Sequence, residues 1–135
     1  MKPTISKILY VDDDSDDRYF FNLSFEECGT PADLICANNG EEAIEYLNSV
    51  SASDLPSLII LDLNMPKRNG RQTLDYIKRQ PHLAKIPVVI LSTSENKAEK
   101  EACVRSGASS YFKKPYRYEG YKEIIRHFMP LIKDY

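Results

Sequence analysis

No apolar stretch of this 135-residue chain approaches the length of a membrane-spanning helix. The N-terminal Met1-Lys2-Pro3-Thr4 carries no signal-peptide apolar region. Basic residues hold no excess either. Lys and Arg number 18 against 20 Asp and Glu, a formal net charge of −2, so no global positive field points to nucleic acid. Cysteine is sparse: Cys28, Cys36 and Cys103 are an odd count without metal-ligand spacing. They fit reduced core or half-exposed thiols in a cytoplasmic protein rather than a disulfide framework. Repeats, low-complexity tracts and a linker to a second domain are all missing. The length suits one domain, residues 1–135, with one substantial core and no effector domain.

What is present is an alternation. Short apolar runs fall at 8–11, 34–37, 58–61, 88–91 and 109–113. Between them lie helical patterns at 18–28, 41–47, from 70 to just before Pro81, and 95–105, with a last stripe of Tyr121, Ile124, Ile125, Phe128 and Leu131. Gly29 and Gly107 supply stop signals, and Pro81 ends the third helix. Five β–α units in strict order predict a parallel sheet with helices on both faces. The unbroken apolar strands agree, because such a sheet is covered on both sides. Ligands of these sheets bind outside the carboxyl ends of the strands.

The chemistry-bearing residues collect at those ends. Asp12 and Asp13 follow Ile8-Leu9-Tyr10-Val11, and Asp62 follows Leu58-Ile59-Ile60-Leu61 and opens the loop containing Pro66 and Gly70. Ser92 follows the fourth run, and Lys114-Pro115 follows the fifth. Magnesium takes oxygen ligands and keeps several waters, so Asp13 and Asp62 suit direct ligation. Asp12 would act through water, and the backbone carbonyl of Asn64 would be a third protein oxygen. A carboxylate can also attack phosphorus, which makes Asp62 a candidate nucleophile, with Lys114 pairing another phosphoryl oxygen. Ser92 is assigned to the phosphoryl group, with Thr93 as the alternative, and Ser94 to capping. Asp16 and Asp17 are read as a solvated helix start, capped by Asp14 or Ser15. Strand alternation sends Lys113 to the side opposite Lys114. Pro115 is a candidate for a cis peptide bond.

Together, Val11-Asp12-Asp13-Asp14, Leu61-Asp62-Leu63-Asn64-Met65-Pro66 with Gly70, Ser92, Gly107-Ala108, and Tyr111 with Lys114-Pro115 resemble the receiver domains of two-component response regulators, along the whole chain. The stretches from Asp62 to Gly70, Ser94 to Asn96 and Lys114 to Gly120 look like the stand-alone, phytochrome-partnered members. The resemblance implies a flavodoxin-like fold, strand order 2-1-3-4-5 with five helices, and a cytoplasmic phosphoacceptor rather than an enzyme. A histidine kinase or phosphotransfer protein would phosphorylate Asp62. Asp12 and Asp13 would bind Mg2+, Lys114 and Ser92 would hold the phosphoryl group, and Tyr111 would be the aromatic switch. Signal would leave through a protein partner, with neither nucleic acid nor membrane involved. Tyr116 and Tyr118 mark the fourth helix, fifth strand and fifth helix as a docking or homodimer face. The sparsely apolar fourth helix, burying only Ala98, Ala102, Cys103 and Val104, is the expected moving part.

Two other readings compete. A magnesium-dependent aspartyl phosphatase usually needs an acid two residues after its nucleophile, where Asn64 stands. A degenerate binding module would not need the full set of groups present here.

Overall fold

The computed structural model describes residues 6–64 and 69–131. Met65 and Pro66 of the motif after Asp62, and the terminal Tyr135, lie outside the described residues. Strands β1 (Ser6–Val11), β2 (Ala32–Ala37), β3 (Leu58–Asp62), β4 (Val88–Ser92) and β5 (Ser110–Lys113) alternate with helices α1 (Ser15–Glu27), α2 (Gly40–Ser49), α3 (Gly70–Arg79), α4 (Lys97–Arg105) and α5 (Gly120–Phe128). The strands form one sheet in the order β2-β1-β3-β4-β5, every pair parallel. This is the flavodoxin-like arrangement, with its carboxyl ends along one edge.

Side-chain alternation splits the core into two layers. Leu9, Val11, Ile59, Leu61, Val88 and Ile90 point to one side, where Leu47, Leu74, Ile77 and Cys103 of α2, α3 and α4 cover them. Ile8, Tyr10, Leu58, Ile60, Val89 and Leu91 point to the other, under Phe21, Phe25, Tyr121, Ile124, Ile125 and Phe128 of α1 and α5. The second layer is aromatic: Tyr10 and Phe21 stack at 4.1 Å, and Tyr121 meets Phe21 edge-on at 5.5 Å. Tyr121 is therefore core, as its place in the last apolar stripe predicts. In β3 and β4 every residue is buried, because both faces are covered.

Cap chemistry moves several predicted boundaries. α1 starts at Ser15, ahead of the apolar pattern at 18–28 and with Asp14, one of the two expected caps, accepting from the N–H groups of Asp16 and Asp17. β2 starts at Ala32, where pairing with Ser6 of β1 begins. α4 starts at Lys97 because the Asn96 side chain caps it, accepting from Glu99 N–H. Ser94 is not the cap assigned to it. Its hydroxyl accepts from Asn96 N–H one turn earlier and shapes the approach to the helix. α4 also buries less than expected. Cys103 alone is buried, Ala102 is partly covered, and Ala98 and Val104 lie in solvent, Val104 at 52% exposure.

Candidate functional site

The same alternation that builds the core sorts the site. Asp12 lies two residues past Tyr10, Asp62 two past Ile60 and Lys114 two past Phe112, so all three take the α1/α5 side. Ser92 lies two past Ile90 and takes the α4 side. Asp12, Asp62 and Ser92 are buried.

Lys114 is the hub of the first group. Its Nζ stands 2.9 Å from Asp12 Oδ2, 3.2 Å from Asp62 Oδ2 and 2.7 Å from Asp17 Oδ2. Its backbone N–H donates to Ser92 O at 2.7 Å, extending the β4–β5 pairing by one residue. Lys113 points away, as alternation predicts, and meets Glu95 at 3.4 Å and the Tyr116 hydroxyl at 3.0 Å. Asp17 departs from the solvated role read from the sequence. It sits in the first turn of α1, and its carboxylate accepts from Lys114 Nζ. Asp16 remains exposed.

Three carboxylates, Asp12, Asp13 and Asp62, place oxygens within 4.8 Å of one another. Asp13 is exposed and Asp12 and Asp62 are buried, so the group opens to solvent on one side. A hard cation that prefers oxygen ligands and keeps part of its water shell fits that set. Asp12 is tightly held. Tyr10 Oη donates to its Oδ2 at 2.7 Å, Asp14 N–H to its Oδ1 at 3.0 Å, and Arg18 Nη1 to its backbone oxygen at 2.7 Å. Asn64 N–H donates to Asp62 Oδ1 at 3.1 Å.

Burial and the neighbouring Asp12 charge push the Asp62 pKa up to about 6, against the lowering effects of Lys114 and the Asn64 N–H. Burial on its own would lower the Lys114 pKa, but Asp17, Asp62 and Asp12 reverse this and hold it above the ordinary lysine value. Tyr10 is raised by burial and by the Asp12 charge, so its phenol stays a donor.

On the α4 side, Glu99 gathers the second group. Its Oε1 lies 3.1 Å from Ser92 Oγ and 2.8 Å from Tyr111 Oη. Each hydroxyl has one proton and a second acceptor in reach, Asn64 Oδ1 at 3.2 Å for Ser92 and Ser94 O at 3.0 Å for Tyr111. Thr93 Oγ1 stands 3.4 Å from the same Asn64 oxygen, but Thr93 is exposed whereas Ser92 is buried. Asn64 thus joins the groups, touching Asp62 through its N–H and Ser92 through its side chain.

The peptide bond before Pro115 is trans, against the cis expectation, since no described bond is cis. Trans is the intrinsic preference, and here packing closes the turn. A Cβ added to Gly120 would lie 2.4 Å from Pro115 Cβ, so the glycine lets the proline pack directly on the start of α5. Gly70 has a parallel role at α3, where an added Cβ would lie 2.6 Å from both Asp62 O and Leu63 Cα.

Sequence reading missed Tyr10, Asp17, Arg18 and Glu99. Tyr10 was legible in principle, two residues before Asp12 on the same strand face. The other three come from helices whose rotation about the sheet edge no local pattern states.

The response regulator receiver domain model matches residues 8–126. Response regulator Rcp1 of Synechocystis is 34% identical over 110 residues, covering 79% of this chain and 75% of Rcp1. Among solved structures, the phosphorylated cyanobacterial phytochrome response regulator RcpA superposes with a TM-score of 0.85 at 30% identity, over 96% of this chain and 94% of RcpA. The Mn(2+)-bound form of Rcp1 gives 0.81 at 29% identity, over 95% and 96%. Fold, ordered strand-end residues and these similarities converge: the chain belongs to the response regulator receiver domain family of two-component signalling.

Proposed function

We propose that Asp62 accepts a phosphoryl group from a histidine kinase or phosphotransfer protein in a Mg2+-dependent phosphorelay step. The observation that carries the reading is one carboxylate, buried at the end of β3, with the Lys114 ammonium at 3.2 Å and two further acids within metal-ligand reach. Asp13 and Asp62, the Asn64 carbonyl, and Asp12 through water would hold the cation. Once bound, it would neutralise charge on the carboxylates and on the transferring group. Lys114 and Ser92 would take phosphoryl oxygens. Ser92 would then give up Glu99, and Tyr111, which shares that acceptor, would change its partner. The bond from the phosphoryl group to Ser92 is the differential contact that a shift between two states requires.

The protein is accordingly read as a cytoplasmic signalling phosphoacceptor, whose chemistry is limited to its own phosphorylation and slow dephosphorylation. Its output is a protein partner or a second copy on the α4-β5-α5 face. Tyr116, at 92% exposure, and Val104 support that face. Tyr118 does not, because its ring stacks on Phe20 of α1 at 5.6 Å.

The test is intact mass after incubation with magnesium and acetyl phosphate. Wild type gains one phosphoryl group, and neither Asp62→Asn nor metal-depleted wild type gains any. A folded wild type that gains nothing, or an Asp62→Asn protein that gains as much, overturns the reading.

A further inference from the structure

We propose that Asp17, in the first turn of α1, is a positioning residue for phosphoryl transfer: it shares the Lys114 ammonium with Asp62 in the resting protein and yields it to the phosphoryl group. This rests on Asp62 being the acceptor, and it assigns the α1 carboxylate a part in the same reaction.

The argument begins with protons. An ammonium group has three donors and no acceptor. Lys114 faces three carboxylates, donating to Asp17 and Asp62 and ion-pairing with Asp12 at 2.9 Å, so its charge is already shared three ways before any phosphoryl group arrives. The contacts are unequal: Asp17 at 2.7 Å is the shortest and Asp62 at 3.2 Å the longest. The lysine touches the reacting carboxylate but makes its shorter contact with α1.

In the transfer itself, an Asp62 oxygen forms the new bond to phosphorus as the donor's bond to phosphorus breaks, P–N in a phosphohistidine and P–O in acetyl phosphate, and the leaving nitrogen or oxygen departs with the bonding pair. Lys114 keeps its three protons and only exchanges acceptors. A phosphoryl oxygen is a fourth acceptor, so one carboxylate has to yield. Asp12 is fully buried and pinned by Tyr10, by Asp14 N–H and, through its backbone, by Arg18. Asp62 itself carries the group. Asp17 is the one that can leave. Its side chain is 32% exposed, and it sits on a helix flank beside an open cavity of about 150 Å3 bordered by Thr93, Lys113, Lys114, Pro115 and Tyr116. Water can solvate its carboxylate when the bond opens, which the buried Asp12 carboxylate could not achieve.

The resting Asp17 bond therefore opposes transfer. Removing it frees a Lys114 donor for the incoming group. One charge-assisted hydrogen bond, partly solvated, corresponds to a rate change of about three- to tenfold.

The experiment follows phosphoryl gain by intact mass, with magnesium and acetyl phosphate, in wild type, Asp17→Asn, Asp17→Glu and Asp16→Asn. Asp16→Asn removes the same charge one residue away, at an exposed carboxylate outside the Asp12, Asp17 and Asp62 set around Lys114, so it measures the simple effect of charge on an anionic donor. Asp17→Asn is expected to gain phosphoryl three- to tenfold faster than Asp16→Asn, and Asp17→Glu to return toward wild type. The 15N resonance of the Lys114 ammonium, recorded before donor is added, should shift in Asp17→Asn and stay in place in Asp16→Asn. Equal rates for the two Asn variants, a slower Asp17→Asn, or an unmoved ammonium resonance overturns the proposal. A wild type that gains no phosphoryl overturns the acceptor reading, and the transfer role of Asp17 with it. The ammonium resonance, which needs no phosphoryl transfer, shows separately whether Asp17 holds the lysine.

Discussion

At the scale of single residues, the site is a charge balance held by one lysine. Asp62 titrates near 6 in the folded chain against an ordinary value of 3.8, chiefly through burial and the Asp12 charge. Between those values the folded state binds a proton that the unfolded state has lost. Stability from this group is therefore fully present below pH 4, falls as pH rises toward 6, and stays low above. Asp62→Asn removes the penalty. Without divalent cations it should be more stable than wild type at pH 7.5 by about 1–2 kcal/mol, with the gap closing toward pH 4. Urea unfolding across that pH range measures it, and a less stable Asp62→Asn at pH 7.5 would contradict it. Lys114→Met should do the opposite, leaving Asp12, Asp17 and Asp62 without their shared cation. The expected loss is about 3–5 kcal/mol at neutral pH, partly recovered on acidification. A loss that does not depend on pH would point to packing instead. Much of this site was legible in advance: Asp12, Asp13, Asp62, Ser92 and Lys114 each end an apolar run, and strand ends of a parallel sheet share one edge. Asp17 was not: its place in the first turn of α1 was legible, but the packing of that helix against the sheet, which brings its carboxylate to Lys114, follows from no local pattern.

At the scale of elements, the apolar runs located all five strands, since a run buried on both faces has few other places to go. The helix starts were less legible. They turn on which of several adjacent polar side chains reaches back to the main chain, as the choice between Ser94 and Asn96 shows. The start of α3 is set by contact as well as by its Asn69–Gln72 capping box. Because a Cβ on Gly70 would meet the backbone of Asp62 and Leu63, Gly70→Ala should push α3 away from β3 and cost about 1–3 kcal/mol. It should also slow phosphorylation of Asp62 more than an equally destabilising change away from the site. Ile77→Ala, fully buried in the aliphatic layer, is the matched control, with an expected cost of about 2–5 kcal/mol. If both variants phosphorylate at the wild-type rate, the glycine contact matters for folding alone. α4 is the least buried of the five α-helices. With Cys103 its only buried side chain, its amide hydrogens should exchange well before those of α3.

For the whole molecule, the α4-β5-α5 face offers the testable surface. If it joins two copies, sedimentation with magnesium and beryllofluoride should show a dimer that is weaker or missing without them, and Val104→Glu should abolish it. A monomer under all conditions leaves a different protein as the partner. The two-layered core adds a constraint on how news of Asp62 can spread. The sheet is a wall, aromatic on the α1/α5 side and aliphatic on the α2/α3/α4 side, and the described core side chains divide between its two faces. Its carboxyl edge is the doorway. Lys114 and Asp17 stand on one side of the opening, Ser92, Glu99 and Tyr111 on the other, and Asn64 on the sill. One covalent event at that threshold is announced in both rooms at once. Two partners reading opposite faces of the protein could thus receive the same message without either having to relay it through the core.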